Sequence, residues 1–245
     1  MDEPVAKQQH SLTLRWMHWI NFPVLMVMAY SGMRIYWADV RDPYAIGIGS
    51  WTWFRFWPDS VEEKLQLQRH LAAGIAFHLT FAWFFVGNGV AYAVHLMRKN
   101  NWRRIIPDGR SVRDSVRSVL HDLHLVKERP PQGKYNPAQQ MAYTVVLVMA
   151  TLLVASGFAI YKSVQLAWLT WLLGGYETAR LIHFSMTIGL LSFFVVHVLQ
   201  VARAGWRTFS SMITGYRLMP RTEAEAFTEP DTDAPSELAT QEVGS

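Results

Sequence analysis

The residues of this chain that could do chemistry are histidines set in oily surroundings. The apolar run 181–201 carries His183 and His197. Fourteen residues is close to a whole number of helical turns, so both imidazoles fall on roughly one face, about 21 Å apart along the axis. In a hydrocarbon core about 30 Å thick, that spacing suits two stacked metal centres, one near each surface. A second helix must then supply the opposite ligand of each centre. His18, between Trp16 and Trp19, sits at about the depth of His197, and His70, at the opening of another apolar run, sits at the depth of His183. His78 is rotated by roughly 80° from His70 and is expected to point elsewhere. His95 returns to the face of His70 near the opposite surface and is a reserve ligand there.

Neutral imidazole binds zinc, copper or haem iron. Zinc usually takes three or four protein ligands, and no Cys, Asp or Glu joins these pairs. Bis-histidine haem needs only two ligands on opposite helices, with the porphyrin filling the space between. The chain has no cysteine, which excludes thiolate sites, iron–sulfur clusters held by cysteine and covalent haem attachment. Glycines at 32, 74, 157 and 189 would let a flat macrocycle approach helix backbones. Cations are available for its propionates: Arg69, Arg180 and Arg34 near the outer centre, Arg15 and Arg203 near the inner one. Arginine at a membrane boundary also snorkels for its own sake.

The elements that must position these residues are apolar blocks near 16–37, 71–97, 141–161 and 181–201, each near or above the ~20 residues needed to span a bilayer. They predict four transmembrane helices at about 14–37, 68–97, 137–162 and 179–205, an all-α integral membrane four-helix bundle over residues 1–221. The first apolar run is too long for a signal-peptide core and lacks a small-residue cleavage site, so it is expected to stay as an anchor.

The formal charge of +4 is segregated. Residues 98–134 hold ten Lys or Arg against four acids, and 202–221 add four arginines and no acid, whereas 38–67 hold three basic and five acidic residues. Cytoplasmic loops are enriched in Lys and Arg, which places both termini and the 98–134 loop in the cytoplasm. Topology accounts for the basic loop without nucleic acid. Within it, Val112, Val116, Val119, Leu120 and Leu123 recur at helical spacing, predicting an amphipathic helix at 110–126 on the inner leaflet. His121 and His124 on that helix are expected to be solvated. The external loop carries Trp51, Trp53, Phe54, Phe56 and Trp57, an interfacial anchor or a docking surface. Residues 222–245 have seven acids and no basic residue, composition expected of a disordered tail.

Several short motifs, in this order and spacing, resemble the bacterial dihaem cytochrome b subunits of respiratory formate dehydrogenase, nickel-iron hydrogenase and thiosulfate reductase. They are Arg15-x-x-His18-Trp19, Ser31-Gly32, His70-x-x-x-Gly74, Gly133-Lys134-Tyr135-Asn136-x-x-Gln139, Ser156-Gly157, and His183 with His197. The match covers roughly residues 10–220. The resemblance implies two b-type haems in a four-helix bundle of the bacterial inner membrane, with His18 and His197 on the inner haem and His70 and His183 on the outer. It also implies a quinone pocket beside the inner haem at the start of the third helix, where Asn136 and Gln139 would hydrogen-bond a quinone carbonyl; the local alternative is that they cap the helix.

The function implied is that of an electron-transfer subunit, rather than a catalytic one, linking a periplasmic redox enzyme of molybdenum or hydrogenase type to the membrane quinone. Two other functions fit the residues: a stand-alone cytochrome passing electrons from a small donor such as superoxide to quinone, and a haem-free transporter or assembly factor whose histidines carry protons or metal.

Overall fold

A computed structural model describes residues 5–36, 38, 47–48, 51–52, 63–65, 70–98 and 137–219. The expected amphipathic helix at 110–126, the acidic tail, Arg69, Asn136 and most of the aromatic outer loop lie outside the described residues.

Strand β1 (Val5–Gln8) leads into helix α1 (Leu12–Tyr36). Ser11 caps α1, its Oγ accepting from the Leu14 amide at 3.3 Å, the usual way to satisfy an orphan donor at a helix start. Two short paired strands follow, β2 (Gly47–Ile48) and β3 (Trp51–Thr52). Then come α2 (Leu71–Arg98) and α3 (Pro137–Tyr161). The short helix α4 (Ala167–Leu172) precedes α5 (Tyr176–Ala204), and the chain continues through α6 (Trp206–Thr214) into β4 (Tyr216–Met219).

Three of these helices, α2, α5 and the stretch Met141–Tyr161 of α3, are long and apolar enough to cross a membrane. Their outward faces carry large apolar side chains in the open, among them Trp83, Phe84, Val148, Val195 and Leu199, while their most deeply buried positions, Ser156, Ala159 and Ala179, are small, as is Ser31 of α1. A soluble fold would reverse that distribution. Lipid replaces water outside membrane helices, so association depends on close backbone approach through small residues rather than on burying large ones.

The described chain divides into two units. The larger is Pro23–Val195. Within it, Ser31 of α1 meets His78 of α2, Trp83 of α2 meets Phe158 of α3, Ser156 of α3 meets His183 of α5, and Tyr36 of α1 stacks on Phe184 of α5 at 5.3 Å. These contacts run from helix to helix and back to the first. Helix α4 is tied to α3 by the Thr170 hydroxyl, which donates to the Ala159 carbonyl at 3.2 Å. Gly174 and Gly175, both at positive φ, turn the chain from α4 into α5, a conformation that side-chain-bearing residues resist.

The other unit is Met1–Phe22 with Val196–Ser245. Here β1 and β4 pair antiparallel, Val5 opposite Met219 and Gln8 opposite Tyr216. An all-α reading of the sequence did not include this pairing. Helix α6 ends at Gly215, whose φ of 88° is left-handed. The carbonyls exposed at that end take donors from α1: Trp19 Nε1 reaches Met212 O at 3.0 Å, and Arg15 Nη2 donates to Ile213 O. A cation there also faces the negative end of the helix dipole.

Candidate metal centres

In the larger unit, His78 lies opposite His183, with ring centres 6.2 Å apart and planes inclined at 69°. In the smaller unit, His18 lies opposite His197, with ring centres 6.0 Å apart and planes inclined at 64°. Two imidazoles bound through nitrogen to opposite faces of one metal have ring centres about 6.3 Å apart, given metal–nitrogen bonds of about 2 Å and about 1.2 Å from nitrogen to ring centre. Both pairs therefore have a spacing at which one metal could be held between the two rings. Among the described residues no group of three His, Cys, Asp or Glu forms a metal cluster. A donor set of two opposed imidazoles fits a metal whose remaining ligands come from a macrocycle, as in haem.

His78 is the residue that sequence reasoning set aside in favour of His70. The structure brings His70 to the mouth of α2, exposed, where its carbonyl accepts the first helical bond from the Gly74 amide at 2.9 Å. Its position is that of a helix cap, ahead of the first turn. His78 is two turns further in, and the rotation that separated it from His70 turns it toward α1 and α5. His95 is in the last turn of α2, and the ring opposite His18 is that of His197.

The surroundings of His78 and His183 are copies of each other. His78 Nδ1 is 3.1 Å from Ser31 Oγ and 3.1 Å from Met28 O. His183 Nδ1 is 3.1 Å from Ser156 Oγ and 3.1 Å from Leu153 O. In each case the carbonyl belongs to the residue three before the serine. A carbonyl oxygen can only accept, so Nδ1 must carry the proton in both rings, leaving the Nε2 lone pair free for a metal. A protein carbonyl behind the ring is the arrangement metal-bound histidines ordinarily use.

Two of the four glycines singled out in the sequence lie against the histidines. A Cβ on Gly32 would lie 3.3 Å from His78 Cε1, and one on Gly157 would lie 3.2 Å from His183 Cε1. These two glycines make room for the imidazoles themselves. Gly74 and Gly189 serve helix contacts: a Cβ would meet Arg34 Cβ at 3.1 Å at the first and Met149 Sδ at 2.9 Å at the second.

The expected cations divide likewise. Arg180 pairs with Glu177 on its own helix at 3.0 Å, with both side chains substantially exposed. Arg15 is engaged at the end of α6, as described. Arg34, three residues beyond Ser31, lies against the Tyr30 ring at 5.4 Å, and its buried Nε has no hydrogen-bond partner among the described residues. It lines a cavity of about 340 Å³ with Ser31, Gly74, Tyr30 and Phe77. A buried guanidinium nitrogen without a partner fits an anionic group such as a propionate. Gln139 is in the first turn of α3.

A family model described as prokaryotic cytochrome b561 matches residues 9–215. The chain is also similar to the putative protein-methionine-sulfoxide reductase subunit YedZ1 of Azospira oryzae, with 30% identity over 208 residues, covering 84% of this chain and 96% of that protein.

Proposed function

The chain belongs to the prokaryotic cytochrome b561 family of membrane electron-transfer proteins, and we propose that each of its two histidine pairs holds one haem b. His18 and His197 hold the inner haem; His78 and His183 hold the outer. Haem when bound supplies a one-electron iron couple. The chain's own residues do the rest. Met28 O and Leu153 O fix the tautomer of the outer ligands, Gly32 and Gly157 give their rings room, Arg34 offers a charge to a propionate, and the apolar helices exclude water. The observation that carries the reading is the opposed His78–His183 pair with the same carbonyl and hydroxyl behind each ring.

The ends of the chain support a four-helix bundle. Paired β1 and β4 must share one side of the membrane, which requires an even number of crossings. With α2, α3 and α5 crossing, α1 is the fourth; its 25 residues span about 37 Å at 1.5 Å each. The basic residues of 98–134 and 202–221 favour the cytoplasm as that shared side.

In this reading the protein links a periplasmic redox enzyme to the membrane quinone. The name of the Azospira relative points to a protein-methionine-sulfoxide reductase as that enzyme. Reducing a sulfoxide consumes two electrons and a quinol releases two, so electrons would run outward from quinol. The quinone is held near the start of α3, where Asn136 and Gln139 offer amides. Membranes containing the protein should show a b-type reduced-minus-oxidised spectrum. A quinol should reduce it, and the periplasmic reductase with methionine sulfoxide should re-oxidise it. Membranes that hold the chain without that spectrum would remove the reading. Asn136→Ala with Gln139→Ala should slow reduction by quinol while leaving the spectrum intact; unchanged kinetics would leave both residues as helix caps.

A further inference from the structure

The dipeptide Ser-Gly occurs twice in this chain, at 31–32 and 156–157, and both copies face a histidine of the larger unit. A serine in an apolar helix ordinarily returns its hydroxyl to its own helix, three or four residues back. Ser31 does so to Met28 O at 3.2 Å, and Ser156 to Leu152 O at 2.6 Å and Leu153 O at 3.2 Å. Helix packing would need no more. Here, however, a histidine from the neighbouring helix points its Nδ1 at the same hydroxyl and the same carbonyl, at 3.1 Å in all four contacts. The hydroxyl proton goes to the helix carbonyl, so the serine oxygen receives the Nδ1 proton jointly with Met28 O or Leu153 O. Both serines are buried, at 2% and 0% exposure, so no water competes for that proton.

We infer that Ser31 and Ser156 are positioning residues that hold the reduction potential of the His78–His183 centre low. This rests on His78 and His183 being the axial ligands. Two acceptors on the Nδ1 proton make the imidazole a stronger donor through Nε2, which favours ferric over ferrous iron. The device acts on both faces of one centre, so its effects should add there.

The test is a potentiometric titration of both haems in the purified holoprotein. Ser31→Ala and Ser156→Ala should each shift the equilibrium of the outer haem toward ferrous by about three- to tenfold, the share of one hydrogen bond. At 59 mV per decade for one electron that is a rise of about 30–60 mV. The double variant should show the sum, and the inner haem should not move. Ser156→Thr, which keeps a hydroxyl, should return the potential to near its original value. Bound haem with unmoved potentials in both alanine variants would overturn the inference, as would equal movement of both haems. Should an alanine variant lose the outer haem, retention by the threonine variant supports the inference, and loss there too would assign the serines to helix packing. Failure of the ligand assignment is read separately: His78→Ala would then keep both haems whatever the serines do.

Discussion

The His78–His183 site depends on the size of two residues that carry no side chain. At Gly32 and Gly157 a methyl group would press on the imidazole Cε1 at 3.2–3.3 Å, and a ring on a metal cannot retreat without moving its nitrogen. Gly157→Ala should therefore lower outer haem content well below that of the inner haem, measured as the absorbance of each haem in a redox titration. Equal content would mean that the ring tolerates the methyl group. His18, His183 and His197 are legible as candidates because each stands in or beside an apolar run where a lone imidazole needs a partner, and each faces another imidazole. His78 is equally visible in the sequence, but its phase relative to His70 is informative only if His70 stands inside the helix. His70 instead stands ahead of the first turn, exposed, and it is His78 whose ring faces His183 at 6.2 Å. The repeated Ser-Gly, one copy facing each of His78 and His183, is the sequence signal that points to that pair.

At the scale of elements, the long helices follow from apolar runs, whereas the closure of the smaller unit does not. Four-residue strands at opposite ends of a chain have no periodicity to distinguish them, and nothing local marks Val5–Gln8 as the partner of Tyr216–Met219. The motif residue Arg15 donates to the end of α6, and Gly215 leaves the space for it: a Cβ there would lie 2.7 Å from Arg15 Nη1 and 3.1 Å from His10 O. Gly215→Ala should destabilise this unit by about 1–3 kcal/mol, the cost of a left-handed residue with a side chain, compounded by displacement of Arg15. Arg15→Ala should cost about 0.5–1 kcal/mol, because the hydrogen bond it removes is exposed and solvent screens the charge. Both should lower the temperature at which the inner haem is released; an unchanged release temperature in either would show that the cap does not support the site.

For the whole molecule, charge segregation and the pairing of the chain ends support one topology, with both termini in the cytoplasm. External protease on spheroplasts should leave the 222–245 tail intact, and cleavage from outside would reverse the arrangement. A periplasmic partner would then meet the aromatic loop and the exposed Trp168 and Trp171 of α4, since aromatic residues are enriched at the cores of protein interfaces. Deleting residues 51–57 should uncouple the outer haem from the partner while dithionite still reduces both haems; undiminished exchange would place the contact elsewhere. Haem stoichiometry per chain in three purified proteins decides which histidines hold the outer haem. The unaltered protein should hold two haems, His70→Ala two and His78→Ala one. One haem in His70→Ala with two in His78→Ala would contradict that assignment.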